Sequence, residues 1–208
     1  MLSGTLIVPP TTATFDFLYN WYLVSGIIAG GFVVGLLLLL AVKYRAREGG
    51  PPASKGPESL WIVVAVVVIM AVALGAAGYQ TFASATNIEI PNTPNSVTIH
   101  VTAFQWGWNF TYPDGKFQLN NLTVPAGRVI ILNITSRDVY HAFGIPMLAV
   151  KEDAIPGKVN QLWFEVPDAG VYPDAIHCFE LCGVGHAFMI ANLTVVTQPA
   201  WDSWMASG

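Results

Sequence analysis

Thiol, imidazole and thioether side chains are concentrated in one short stretch, His177-Cys178-Phe179-Glu180-Leu181-Cys182-Gly183-Val184-Gly185-His186-Ala187-Phe188-Met189. It contains both cysteines of the chain, two of its four histidines, and a methionine three residues after the second histidine. Such soft-to-borderline donors select copper over magnesium or calcium. Gly183 and Gly185 mark the stretch as a loop that folds around something. Three uses compete. A disulfide across Cys-x-x-x-Cys would close a very short ring and leave the spacing of His186 and Met189 unexplained. A structural zinc site would use two Cys and two His but has little use for a methionine. Copper uses Met as a weak axial ligand, and a second cysteine four residues from the first allows both thiolates to face one cavity and bridge two coppers.

The elements that must carry this loop follow from charge and hydropathy. Of the 208 residues, 53% are hydrophobic and only 11% charged, well below the ~25% charge usual in soluble domains. No charge interrupts the 26 residues between Asp16 and Lys43, nor the 30 between Glu58 and Glu89. Each gap exceeds the ~20 apolar residues that cross a bilayer. We expect an N-terminal lead over 1–13 and a transmembrane hairpin over 14–86, with helices at 14–46 and 58–86 and a connector at 47–57. The two helices should be antiparallel neighbours, because the connector is short. Gly26, Gly30, Gly31 and Gly35 either admit a closely packed helix or reflect the ordinary glycine content of membrane helices. Lys43, Arg45, Arg47 and Lys55 against Glu48 place the connector on the cytoplasmic side. Both termini then lie outside, in a cell membrane crossed twice. A cleaved signal peptide is not expected, since no basic segment precedes the first apolar run.

After a linker at 87–95 the pattern changes to period two. Val97, Ile99, Val101 and Ala103 alternate with Thr98, His100 and Thr102. Further β-rich runs follow at Phe117–Leu119, Leu122–Val124, Val129–Ile134, Leu162–Val166 and Ala191–Val196, separated by Pro/Gly/Asp turns. This predicts an all-β sandwich over 96–198, with a tail at 199–208. His100 should face outward, and Met147 should be core. From Glu89 onward ten acidic and five basic residues leave a net charge of −5, which argues against nucleic acid as a partner and suits a basic one. Four Asn-x-Thr triplets start at Asn109, Asn121, Asn133 and Asn192. They fit glycosylated loops or simply threonine-rich strands.

Cys-Phe-Glu-Leu-Cys-Gly-Val-Gly-His-Ala-Phe-Met resembles the binuclear copper (CuA) motif of subunit II of the haem–copper cytochrome c oxidases. Ser136-Arg137-Asp138-Val139-Tyr140-His141 resembles the family's Ser-x-Asp-Val-x-His segment. Phe104-Gln105-Trp106-Gly107-Trp108-Asn109-Phe110 resembles its aromatic stretch, and Lys151 to Gln161 its Lys-x-Asp-Ala-Ile-Pro-Gly-x-x-Asn-Gln loop. The resemblance covers nearly the whole chain but not Leu162–Ile176, and it departs at His177, which reads as a surface group or one behind the ligands.

The resemblance implies a two-helix transmembrane hairpin followed by a cupredoxin-like sandwich on the outer face. It implies a two-copper centre held by His141, Cys178, the backbone carbonyl of Glu180, Cys182, His186 and Met189. It also implies that Trp106 receives electrons, with Trp108 only packing. The Glu180 side chain would help hold magnesium at the interface with subunit I. Glu58, in Glu-Ser-Leu-Trp, either caps its helix or stands at the mouth of a proton-uptake channel. The implied partners are a haem-containing subunit I, further subunits, and cytochrome c or a small cupredoxin as donor, whose docking Arg137 would influence. The activity implied is one-electron transfer toward oxygen reduction and proton pumping in subunit I. Alternatives are a copper-free structural subunit of a quinol oxidase and a membrane-anchored copper electron carrier outside such a complex.

Overall fold

The computed structural model describes residues 10–45, 60–85, 90–91 and 93–207. The chain divides into two compact units, a helical one over 16–86 and one over 1–15 and 87–208 that holds the β-strands. Glu58, the connector 47–57, residues 1–9 of the expected lead and linker residues 87–89 and 92 lie outside the described residues.

The helices are α1 (Pro10–Lys43), of which the helical unit holds the part from Asp16 onward, and α2 (Leu60–Ala85). Residues 10–13 are thus helix and not lead; a proline with fixed φ suits a first turn. Both helices are apolar and long enough to cross a bilayer. The Tyr22 hydroxyl reaches the Ala77 carbonyl at 3.1 Å and lies against the Thr81 hydroxyl. A residue early in α1 thus meets residues late in α2, which makes the pair antiparallel. A Cβ added at Gly26, Gly30, Gly31 or Gly35 would meet nothing within 4 Å among the described residues.

The β unit stacks two five-stranded sheets. Its strands are β1 (Val97–Phe104), β2 (Gly107–Thr111), β3 (Phe117–Leu119), β4 (Asn121–Pro125), β5 (Val129–Ser136), β6 (His141–Ile145), β7 (Val150–Ala154), β8 (Asn160–Glu165), β9 (Gly170–Cys178) and β10 (Ile190–Val196). The first sheet runs β3-β2-β1-β5-β8 and the second β4-β10-β9-β6-β7. The β1–β5 and β10–β4 pairs are parallel, and the others are antiparallel. The alternation read in β1 holds: Val97, Ile99, Val101 and Ala103 are buried, and His100 is exposed. With Leu132, Ile134, Leu122, Ile176 and Leu193 they fill one core between the sheets. Burying each such side chain is worth roughly 1.5–3 kcal/mol.

Three expectations change. The Lys151–Gln161 segment is not one loop. Its first part is β7, paired with β6 so that His141 faces Ala154, and its last residues begin β8. Met147 is not core. It lies 37% exposed in a 3-10 turn, Pro146–Leu148, whose buried residue is Leu148. The tail is helical, as α3 (Gln198–Ala206), with Trp201 buried and Tyr112 packed against both Trp201 and Trp204. All four Asn-x-Thr asparagines sit within paired strands, which favours the threonine-rich-strand explanation.

Candidate metal centre

The donors converge because adjacent strands end together. β10, β9 and β6 are neighbours in the second sheet. His141 opens β6, Cys178 closes β9, and Met189 immediately precedes β10. Backbone bonds lock these ends: the Cys178 N–H donates to the Met189 carbonyl at 3.1 Å, and the Phe179 N–H to the Ala142 carbonyl at 2.8 Å. The loop then closes through a 3-10 turn, His186–Phe188, which presents His186 four residues after Cys182.

The donor atoms lie within a few ångströms of one another. The Sγ atoms of Cys178 and Cys182 are 3.8 Å apart. His141 Nδ1 stands 3.8 Å from Cys178 Sγ, and His186 Nδ1 stands 3.6 Å from Cys182 Sγ. Met189 Sδ lies 3.8 Å from Cys182 Sγ, and the Glu180 carbonyl oxygen lies 3.3 Å from Cys178 Sγ. His141, Cys178, Cys182 and Met189 are buried, while His186 is half-buried. All six residues anticipated as ligands therefore meet in one place. Glu180 itself is exposed.

This arrangement tests the three uses. A disulfide needs sulfurs about 2.0 Å apart, and both cysteines are free. Two sulfurs 3.8 Å apart can each lie the ~2.3 Å of a metal–thiolate bond from a shared ion. Zinc sites are built from Cys, His and carboxylates, yet here a buried thioether joins the cluster. The donor set fits copper. Burial, and then the neighbouring Cys178, push the Cys182 thiol up to about 11. Without a metal that thiol is protonated at neutral pH.

Two further residues brace the donors. Asp138 Oδ1 accepts a 2.9 Å hydrogen bond from His141 Nε2, which leaves Nδ1 facing the sulfurs. Asp138 also accepts N–H bonds from Gln105 and Val139, both at 2.7 Å. Partial burial alone would raise its carboxyl, but the bonds from His141, Gln105 and Val139 outweigh that and hold it at about 2. Asp138 was visible in the sequence only as a motif position, and Gln105 only as a flank of the aromatic run.

On the other side, the Cys182 carbonyl accepts two side-chain donors, Gln105 Nε2 at 2.8 Å and Trp106 Nε1 at 3.0 Å. A Cβ on Gly185 would lie 2.4 Å from the Trp106 ring, so the indole rests on bare backbone. Trp106 is nevertheless 39% exposed. Trp108 is fully buried and packs edge-on against His141 and Phe143. Arg137 lies over the Phe104 ring at 4.6 Å. His177, next to Cys178, takes no part in the cluster.

Residues 116–196 match the family model for the cytochrome c oxidase subunit II periplasmic domain. A probable cytochrome c oxidase subunit 2 of Rickettsia bellii is 30% identical over 96% of this chain and 82% of its own length. The chain belongs to the cytochrome c oxidase subunit II family. The haem–copper oxidase subunit 2 of Aeropyrum pernix is also 30% identical, over 97% of this chain and 92% of its own length. Among solved structures, the periplasmic domain of subunit II from Bradyrhizobium japonicum superposes with a TM-score of 0.51 at 34% identity, covering 57% of this chain and 95% of that one. Membership makes this chain a membrane-anchored subunit of a haem–copper oxidase, an oxidoreductase complex, with a cupredoxin-like sandwich behind its two apolar helices.

Proposed function

We propose that His141, Cys178, the Glu180 carbonyl, Cys182, His186 and Met189 hold a binuclear CuA centre. His141, Met189, His186 and the Glu180 carbonyl would complete the donor set around the two thiolates of Cys178 and Cys182. When bound, the centre supplies a one-electron carrier whose unpaired electron is spread over two metals. The chain's own residues do the rest. The strand ends fix the donors, so little rearrangement accompanies each transfer. Asp138 fixes the orientation of His141. Met189 and the core exclude water from the inner side.

Electrons arrive at Trp106 from an external donor, cytochrome c or a small cupredoxin. The half-exposed indole offers its face to the donor and its N–H to the Cys182 backbone, a short path to the thiolate. They leave for haem in subunit I, where oxygen is reduced to water and protons are pumped. The exposed Glu180 carboxylate is free to help hold magnesium at that subunit's surface. Glu58 is assigned to the proton-uptake side of the same partner, on resemblance alone. The sandwich and both termini lie on the outer face, opposite the basic connector.

The observation that carries this reading is the convergence of two free thiols, two imidazoles, a thioether and one backbone carbonyl. It also weighs against a copper-free quinol-oxidase subunit, which has no need of the set. The test is metal analysis with electron paramagnetic resonance. Two coppers per chain and one electron shared equally between them are expected. A single copper with a four-line pattern defeats the proposal.

A further inference from the structure

His177 and Met147 are the soft-donor residues that the ligand cluster leaves unused near it. In β9, Ile176 and Cys178 are buried while His177 between them is only half-buried. Alternation along a strand therefore turns His177 to the opposite face of the sheet from Cys178. There it stands across from Gly144 of β6. The Phe179 ring covers Gly144, where a Cβ would lie 2.6 Å from it, and meets the His177 ring edge-on at 6.4 Å. Among the described residues the His177 ring nitrogens have no hydrogen-bond partner. β6 continues into the 3-10 turn that exposes Met147. Met147, Asp174 and His177 line one open pocket of about 390 Å³, walled by Pro146, Tyr172 and Pro173.

Imidazole and thioether together suit Cu(I), which accepts few ligands and prefers soft ones. An exposed Asp174 carboxylate adds negative charge for a cation. Largely apolar walls disfavour harder, strongly hydrated ions such as magnesium or calcium. We propose that this pocket is a second, weaker Cu(I) site. It takes an incoming ion on the outer face of the sheet and holds it one residue along the chain from Cys178. The staging role rests on the binuclear copper reading, whereas the binding itself does not.

The test uses the full-length chain in detergent, titrated anaerobically with Cu(I) alone against a chromogenic chelator. The Cys178→Ser/Cys182→Ser chain removes the main cluster and should still bind one Cu(I). Adding His177→Gln or Met147→Leu should weaken that binding at least about tenfold, and Asp174→Asn should weaken it less. With both cysteines intact, Met147→Leu should slow filling of the main centre and leave its final spectrum unchanged. No Cu(I) on the cysteine-free chain, or a bound ion indifferent to both substitutions, overturns the inference. If the binuclear reading fails instead, the intact chain lacks the shared-electron signal while the cysteine-free chain still takes its one ion.

Discussion

The indole N–H of Trp106 donates a 3.0 Å hydrogen bond to the carbonyl of Cys182. A partly exposed aromatic ring is thereby joined to the backbone of a buried thiol. Trp106→Phe keeps a ring on Gly185 but removes the donor. It should slow reduction by the external donor, leave the copper spectrum in place, and cost about 1 kcal/mol of stability. Stopped-flow reduction measured beside the spectrum checks this, and an unaltered reduction rate would make Trp106 purely structural. Gly185→Ala should act from below. Its methyl group collides with the indole, so the ring must lift at a cost of about 1–3 kcal/mol.

Asp138 is held at about 2, below its ordinary 3.8, by bonds that need its charge. A carboxyl lowered on folding adds stability that is complete above its unfolded value. That stability is lost as pH falls from about 4 through about 2. Asp138→Asn should therefore be less stable than the parent by about 1–2 kcal/mol near neutrality, and the gap should close toward pH 2. Denaturant melts of the metal-free protein across that range decide it. A pH-independent difference would show that the carboxylate charge is irrelevant.

The Cys182 thiol, raised to about 11, must lose its proton to bind metal. Filling the metal-free chain at neutral pH should release protons, and affinity should climb as pH rises, about tenfold per unit for each proton displaced. Proton release into a weakly buffered solution measures the stoichiometry. Filling without release would mean that the thiols ionise before the metal arrives.

Trp201 anchors α3 to the sandwich, with Tyr112 and Trp204 beside it. Lys116 adds a contact over the Trp204 ring at 4.4 Å. Trp201→Ala should cost about 3–5 kcal/mol while sparing the copper spectrum, since none of the ligands belongs to this helix. A thermal melt followed by both circular dichroism and copper absorbance would separate the two effects.

Legibility in the sequence followed local pattern. Cys178, Cys182, His186 and Met189 could be read together because one loop carries them. His141 lies 36 residues before His177 and came only from resemblance to a known motif. β1 announced itself by alternation and β5 by a run of β-branched and aliphatic residues. β6 did not, because all five of its residues are buried and a strand covered on both faces loses its period. β9 was hidden by Gly170, Pro173 and Asp174, and β7 by the charges in Val-Lys-Glu-Asp-Ala. Met147 was misplaced because a methionine after a proline gives no sign of which way a 3-10 turn faces. The bracing roles of Asp138 and Gln105 are tertiary facts. They depend on the end of β1 meeting the segment after β5, a parallel pairing of strands far apart in sequence.

Trp106 and Trp108 each touch a ligand residue, one hydrogen-bonded to Cys182 and the other against His141, whereas Trp201 and Trp204 belong to α3. In optical terms the molecule carries its own gauge. Copper bound beside the first pair should extinguish their emission, while light from the other five tryptophans, the α3 pair among them, continues to report whether the fold is intact. Arrival of the metal can then be timed without any added dye.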